Sequence, residues 1–323
     1  MTGYLGTGEG ASLAFFNTLL ALRRPGLTMR YYLTFGRFPN YLSPKGQSEK
    51  IQWRKLFDRN PLFAVMCDKL AARDHAAQCV PQLRFPKLHW SGTDPDRIPL
   101  ETIPLPYVIK PNNRSGEHIF VLRPEEFDKP AILRRCRAWM AAKPFGGNIG
   151  EWGYGQVPTR IQVEAFLSAG EDLAPPANYE FFVYHGRVGA IYYSVPPLGG
   201  RPRKRGLFTT DWQAIAADRW RMKGFDPFDA DIPKPDNLTA LVEAAEKIAA
   251  ELDFARVDLF NLDGAIYLSE VTLYPSSGFS IWVPKDAAPS ARPPRDLDER
   301  FGALWTLPSL PFWTCVRRGL FGG

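Results

Sequence analysis

The chain has 323 residues, 45% of them hydrophobic, with 9 Trp, 12 Tyr and 22 Phe, which excludes wholesale disorder and leaves room for one large or two modest domains. Lys and Arg (40) exceed Asp and Glu (34) by 6, a mild excess that suits an anionic partner such as a nucleotide, an acidic sugar, nucleic acid or a membrane surface without choosing among them. The four cysteines, Cys67, Cys79, Cys136 and Cys315, are far apart with no CxxC pair, which disfavours a zinc site or a disulfide framework and fits a reducing compartment.

Residues 11–22 (ASLAFFNTLLAL) are apolar but too few for a transmembrane helix of roughly 20 residues. No basic stretch precedes them and Arg23-Arg24 follows, so they predict an amphipathic or packed helix rather than a signal peptide, in a soluble, cytoplasmic chain. Residues 61–78 predict one helix that closes before Val80-Pro81. Lys69, Arg73 and His75 on it form either a basic face toward a phosphate or a solvated helix side. A Pro-rich stretch over 95–106 reads as a connection between lobes. YVIK (107–110) and HIFVL (118–122) predict two strands joined by a polar, Gly-containing loop, and residues 125–140 a helix. Strands follow at 160–167, 179–184 and 187–195, the last two joined by a tight turn at His185-Gly186.

The run GGRPRKR (199–205) places four basic residues within seven, as a clamp on an anionic substrate or a flexible basic loop. Phe208 and Trp212 nearby form no stacking module, so nucleic acid is not an expected partner. The strongest helix covers 238–252, where Leu238, Leu241, Val242, Ala245, Ile248, Ala249 and Leu252 make one buried stripe after an N-cap at Asp236 or Asn237. Residues 255–273 predict a hairpin turning at 262–264, and 286–300 an exposed Pro- and charge-rich link. The last 23 residues are apolar with Arg317-Arg318. They predict a tail that covers a groove on its own domain or on a homodimer partner, or else touches a membrane surface. Helices and antiparallel hairpins without a βαβ rhythm indicate an α+β (mixed α/β) chain.

The final hairpin carries the strongest chemical signal. A turn centred on residue 264 places Asp258 opposite Glu270 and Arg256 opposite Thr272 on one face. Like charges directly across a sheet are destabilising, so the pair needs a cation: Arg256 with a lysine, or a bound metal, for which Mg²⁺ suits hard oxygen ligands. The alternative is a solvated hairpin with carboxylates on its wet face. In YVIK-PNNRSGE-HIFVL, Lys110 at a strand end and the following Asn/Ser/Gly loop make either a phosphate cradle or an ordinary polar hairpin. The histidines His75, His89, His118 and His185 lack partners at helical spacing, and Ser115 lies in no GxSxG, so neither a His-based metal site nor a hydrolase nucleophile is supported.

Four segments in order, SEKIQWRKLFDRNPLFAVMCDKLAARDHAAQ (48–78), LPYVIKPNNRSGEHI (105–119), NYEFFVYHGR (178–187) and FARVDLFNLDGAIYLSEVTLYPSSGF (254–279), resemble the TupA-like ATP-grasp family over roughly residues 40–285. The resemblance implies an ATP-grasp fold of two α+β lobes with antiparallel sheets enclosing Mg-ATP. It assigns phosphate contacts to Lys69, Lys110, Asn113, Arg114, Ser115 and Gly116, and adenine contacts to a hinge containing Glu164, Ala165, Phe166 and Leu167. It matches Asp258, Glu270 and Thr272 to the Mg²⁺ ligands and Arg256, with Lys110, to the catalytic groups. Thr272 stands where many ATP-grasp ligases carry Asn, and Glu180 where the family usually has Lys, at a place where an acidic residue binds ribose in other members. The implied domains are an N-terminal helical, substrate-side region (1–104), a central lobe with the phosphate-covering loop (105–165), a C-terminal lobe with the metal hairpin (166–285) and a link with tail (286–323). The implied activity is an ATP- and Mg²⁺-dependent ligase joining a small-molecule or glycan carboxylate to an amine through an acyl-phosphate, in surface polysaccharide synthesis. A phosphotransferase acting on a sugar or glycan and a non-catalytic glycan- or membrane-associated module are the rival classes.

Overall fold

The computed structural model describes residues 7–143, 145–170, 173–195, 204–215, 220–226, 228, 231–280, 282–284, 287–288 and 291–321. The chain forms two compact units, one drawn from Met1–Arg59, Asp218–Lys223 and Tyr274–Gly323, the other from Asn60–Ala217 and Gly224–Leu273. The first unit opens with α1 (Thr7–Arg23), α2 (Pro25–Phe35) and α3 (Gln47–Phe57). The second unit then runs through α4 (Leu62–Cys67), α5 (Lys69–Cys79), β1 (Leu88–Gly92), β2 (Tyr107–Pro111), β3 (Ile119–Val121), α6 (Lys129–Ala141), α7 (Trp152–Gly155), β4 (Ile161–Ala165), β5 (Asn178–Tyr184), β6 (Arg187–Val195) and β7 (Lys204–Phe208). After β8 (Trp220–Met222), which belongs to the first unit, it closes with α8 (Leu238–Ile248), β9 (Phe254–Leu262) and β10 (Ala265–Thr272). The chain ends in the first unit with β11 (Trp282–Pro284), α9 (Asp296–Ala303) and α10 (Phe312–Phe321).

The second unit holds two antiparallel sheets, ordered β1-β4-β2-β3 and β10-β9-β5-β6-β7. Strand alternation gives each sheet one dry face and one polar face. In the smaller sheet Tyr107, Ile109, Ile161 and Val163 are buried with Ile132, Cys136 and Trp139 of α6, while Val108, Lys110, Gln162 and Glu164 point the other way. In the larger sheet Ala255, Val257 and Leu259 of β9 are fully buried, and α8 packs beside β9, β5 and β6 through Leu238, Leu241, Ala244, Ala245 and Ile248. Full burial of an aliphatic side chain such as Leu241 contributes about 1.5–3 kcal/mol. The chain before β1 ties the two sheets together: Arg84 N–H donates to the Ile266 carbonyl at 2.9 Å and its own carbonyl accepts from Leu268 N–H at 3.1 Å.

Two expectations need correction. The single helix over 61–78 breaks into α4 and α5 at Asp68, which is extended (φ −94°, ψ 109°) and caps α5 by accepting from Leu70 N–H at 2.9 Å. Apolar periodicity continues across this break, so the pattern alone reads as one helix, and the cap decides otherwise. The stretch over 286–300 is not merely an exposed link: α9 begins within it, buries Leu297 and Phe301, and uses the Asp298 carboxylate to accept from Ser48 N–H at the start of α3 at 2.8 Å. A carboxylate there satisfies an orphan donor at the positive end of the helix dipole.

The apolar tail packs within its own unit. Around a core of Leu20, Tyr41, Trp53, Leu56, Phe57 and Cys315, α10 comes so close to α1 that a Cβ on Gly319 would lie 2.2 Å from a Leu20 methyl. Trp305 is fully buried with the Arg54 guanidinium 4.4 Å from its ring centroid. Among the described residues no helix is long and apolar enough to cross a membrane. A Cβ on Gly302 would sit 2.0 Å from the Lys45 carbonyl oxygen, whereas one on Gly147 would meet nothing within 4 Å. Gly302→Ala is therefore expected to destabilise the protein by roughly 1–3 kcal/mol in urea titrations, with Gly147→Ala as a near-neutral control.

Candidate active site

The polar faces of the two sheets line one cavity of about 560 Å³ that lies entirely within the second unit. That size is typical of a small-molecule or cofactor site. Its floor is the hairpin of β9 and β10. Asp263 (φ 49°) and Gly264 (φ 78°) form a two-residue turn with both residues left-handed, the geometry that matches strand twist. From this turn the ladder pairs Ala265 with Leu262 and Leu268 with Leu259, so an unbroken register would put Ser269 opposite Asp258. A bulge between Leu268 and Glu270 inserts one residue, and Glu270 lands opposite Asp258, with Thr272 opposite Arg256. The pairing agrees with the sequence expectation, but the turn lies half a residue earlier and the bulge makes up the difference.

On the next strand Glu180 pairs with Asp258 across β5 and β9. Three carboxylates, Glu180, Asp258 and Glu270, thus stand in a row across three strands. Arg256 compensates all three. Its Nε and Nη2 donate to Asp258 at 2.7 and 2.6 Å, Nη2 also reaches Glu270 Oε1 at 3.2 Å, and Nη1 lies 3.4 Å from Glu180 Oε2. Arg205 of β7 binds Glu180 from the other side, where Ser194 Oγ also donates to Glu180 at 3.0 Å. Lys69 Nζ lies 3.8 Å from Glu270 and donates to the Arg114 carbonyl at 2.6 Å, and Lys110 is bonded to Glu164.

These contacts set the protonation of the row. Burial pushes Asp258 up to about 7 against the pull of Arg256, with Glu180 and Glu270 adding to the rise. Burial acts to raise Glu270 too, but Lys69, Arg256 and Lys110 outweigh it and hold this carboxyl below its ordinary value. Burial lowers Lys69 against the opposing charge of Glu270, while for Arg256 the carboxylates overcome burial and keep the guanidinium firmly protonated.

Lys69 reaches the cavity from the first turn of α5, placed by the Asp68 break. Asn112 fastens that break to the sheet: its Nδ2 donates to Asp68 at 2.9 Å and to the Pro158 carbonyl at 3.2 Å, while its Oδ1 accepts from Arg160 N–H at 2.7 Å. The loop from Asn113 to Glu117 is pinned at both ends. Arg114 donates to the Lys143 carbonyl at 2.8 Å, and Glu117 accepts from Arg135 at 2.7 Å and from the Trp139 indole at 2.6 Å. Between these anchors Ser115 and Gly116 (φ 72°) form an exposed tip at the cavity rim.

Of the residues expected at the site, Lys69, Lys110, Arg114, Ser115, Gly116, Glu164, Ala165, Phe166, Leu167, Glu180, Arg256, Asp258 and Glu270 line the cavity together. Asn113 and Thr272 do not. Asn113 is fully buried and donates to the Val157 carbonyl at 2.9 Å, and Thr272 sits behind Glu270, donating to it at 3.3 Å. In the hinge, the Ala165 and Phe166 amides are already bonded to the Lys87 and Pro106 carbonyls at 2.8 and 3.0 Å. From the suggested basic face of α5, Arg73 lines the cavity, but His75 turns away and pairs with the Ile248 carbonyl of α8 at 3.2 Å. Of the run 199–205 only Lys204 and Arg205 are among the described residues, and Arg205 enters the wall, stacked 4.2 Å from the Phe225 ring centroid. Sequence reasoning did not place Arg205 beside Glu180, because β6 and β7 meet only in the tertiary ladder, and the basic run was the available signal; for Ser194 the signal was the β5–β6 hairpin itself.

The model of the TupA-like ATP-grasp family matches residues 49–288. The chain belongs to that family. The ATP-grasp fold accounts for the pair of antiparallel sheets facing one cavity. A search of curated proteins finds no match. Among solved structures the chain is similar to D-alanine–D-alanine ligase from Bacillus anthracis, with 15% identity over 64% of this chain and 56% of that one, at a TM-score of 0.39. It is also similar to the Helicobacter pylori enzyme of that name (12%, 66% and 53%, TM-score 0.40) and to L-amino acid ligase from Bacillus licheniformis (19%, 64% and 42%, TM-score 0.38). The chain spans about half the length of these solved proteins.

Whether this donor set fits a divalent cation follows from its chemistry. Among the described residues no three His, Cys, Asp or Glu groups converge as a metal site. Two facing carboxylates do suit Mg²⁺, which commonly takes one or two protein carboxylates and completes its shell with phosphate and water. Arg256 now stands between them as the compensating cation. Removing one member of a buried ion cluster costs about 3–5 kcal/mol, so Arg256→Met should lower the melting temperature markedly. Millimolar Mg²⁺ should restore part of that loss, and adding Asp258→Asn to Arg256→Met should restore part of it without Mg²⁺.

Proposed function

We propose that the protein is an ATP- and Mg²⁺-dependent carboxylate–amine ligase that forms an amide through an acyl-phosphate. The observation that carries this reading is the facing pair Asp258 and Glu270 beside Lys69, Lys110 and Arg256 in one cavity. Such a constellation serves phosphoryl transfer, where positioning and charge neutralisation do most of the work. Asp258 and Glu270 would hold Mg²⁺, which when bound neutralises charge on the β- and γ-phosphates. Thr272 positions Glu270 through its hydroxyl.

Lys110 and Lys69 both line the cavity and bind the phosphates as point charges. The exposed tip Ser115-Gly116 offers backbone amides to the same anion. Val108, Phe166, Leu167 and Leu268 give the cavity an apolar portion for the base. As the γ-phosphoryl passes to a carboxylate and an amine attacks the resulting mixed anhydride, Arg256 stabilises the oxyanion of the tetrahedral intermediate. Exclusion of water by the loop protects the anhydride from hydrolysis. The substrates are a small-molecule or glycan carboxylate and an amine, in cytoplasmic synthesis or modification of a surface polysaccharide or related polymer; this rests on the family resemblance.

Calorimetric titration of ATP with and without Mg²⁺ tests the site. Wild type should bind only weakly without Mg²⁺, and Glu270→Gln and Lys110→Ala should each weaken Mg-dependent binding and lose most turnover while remaining folded, as a cooperative melting transition checks. With a productive substrate pair, one ADP and one phosphate should appear per amide formed. A phosphorylated acceptor without condensation identifies a phosphotransferase instead, and absence of ATP binding in wild type identifies a non-catalytic module.

A further inference from the structure

The first unit carries an apolar face that its own core leaves uncovered. Of eleven large apolar side chains exposed among the described residues, eight belong to this unit, and most of them sit on α1, α2 and α10. The arrangement of α1 and α10 groups them. The Phe16 and Trp313 rings meet edge to face at 5.4 Å, and seven residues further along both helices Arg23 Nε donates to the Leu320 carbonyl at 3.0 Å. The constant offset means that α1 and α10 run parallel, side by side.

Next to these two contacts stand the exposed side chains. Phe15 (59% exposed) and Trp313 (67%) mark one end, and Leu22 (71%) and Phe321 (80%) the other. Seven residues of helix separate the ends by about 10 Å. On α2, which follows directly after Arg24, Met29 and Leu33 add a further pair one turn apart. Single exposed apolar residues are ordinary, but four large ones at the two ends of one helix pair, with two more on the adjoining helix, mark an interaction surface.

Charge selects the occupant. α2 and α10 carry Arg30, Arg317 and Arg318 and no Asp or Glu, and α1 carries Arg23 at its end with Glu9 as its one acid, in the first turn. Arg23, Arg30 and Arg317 are exposed on the same helices as these apolar side chains. A second copy of the chain meeting this face about a two-fold axis would set arginine patches against themselves, because an isologous interface apposes the same surface from both sides. An anionic bilayer surface supplies both complements at once, phosphates for the guanidinium groups and an acyl boundary for the rings.

We propose that α1, α2 and α10 form a peripheral docking face for anionic phospholipid, with Phe15, Leu22, Leu33 and Trp313 entering the headgroup–acyl boundary and Arg30 and Arg317 binding lipid phosphates. The face shares no residue with the cavity of the second unit, so this inference stands independently of the ligase reading.

Co-sedimentation of the full chain with phosphatidylcholine vesicles, with and without phosphatidylglycerol, tests it. Partitioning should be at least roughly tenfold stronger with phosphatidylglycerol and should fall as salt is raised. Leu22→Ser/Leu33→Ser should weaken it by roughly tenfold or more, and Arg30→Gln/Arg317→Gln should abolish the preference for phosphatidylglycerol. The melting temperature of each variant, which should match wild type, separates lost docking from lost folding. Failure of wild type to sediment with either vesicle overturns the proposal, as does unchanged sedimentation of the folded Leu variant. A concentration-dependent dimer that the Leu variant abolishes, without vesicle binding, overturns it in favour of a second copy.

Discussion

Three carboxylates in a row across adjacent strands form the constraint around which the second unit is organised. Glu180, Asp258 and Glu270 are held at ladder spacing with Asp258 and Glu180 almost fully buried, an arrangement that repels itself unless cations are built in beside it. Arg256 lies on the same face one pleat along the strand within ion-pair distance of all three, Arg205 secures the Glu180 end, and Lys69 the Glu270 end. With Lys110 against Glu164, four acids are matched by four bases, and Arg73 and Arg114 against Glu117 at the wall leave the cavity one positive charge in excess. A polyanion that carries its own divalent cation complements such a site.

The fold supplies this arrangement from ordinary parts. Each sheet commits one face to a helix-backed core and leaves alternate side chains to the cavity, so Lys110 and Glu164, or Arg256 and Asp258, project inward because their neighbours Ile109, Val163 and Val257 are needed for packing. Local irregularities then adjust the register. The bulge at Ser269 brings Glu270 opposite Asp258, and the helix break at Asp68 puts Lys69 at an N-terminus rather than on a helix side. Both irregularities bring a charged group to the cavity, consistent with strain and local rule-breaking collecting at functional sites.

Glu180 stands in a charge network that a single-position comparison does not reveal. Judged by itself, an acidic residue where the resembling family carries Lys reads as a change of role, for example toward ribose. In the structure its carboxylate is closed in by Arg205, Arg256 and Ser194 and belongs to the same charge network as Asp258. The basic run that ends at Arg205 and the acid at 180 are two halves of one pairing, brought together by β6 lying between β5 and β7.

Much of this was legible in the residues alone. Turn chemistry at His185-Gly186 and Asp263-Gly264 set two hairpins, apolar periodicity set α8, and the spacing of Arg256, Asp258 and Glu270 set the floor of the site, because short-range geometry of a tight hairpin has few solutions. Local pattern had no access to contacts between distant segments. It joined α4 to α5 across Asp68, whose break is held by Asn112 44 residues away, and it took 286–300 for a link because the partner of Asp298 is the start of α3, 250 residues earlier. It left His75 either facing a phosphate or solvated, where α8 claims it, and left Arg205 in a run read as an anion clamp or a flexible loop, where Glu180 binds it. Sequence by itself determined which strands turn back on themselves and which residues they carry. Tertiary structure decided which charges meet, since the ladder order of β5, β6, β7, β9 and β10 depends on packing energies summed over the whole unit rather than on any local preference.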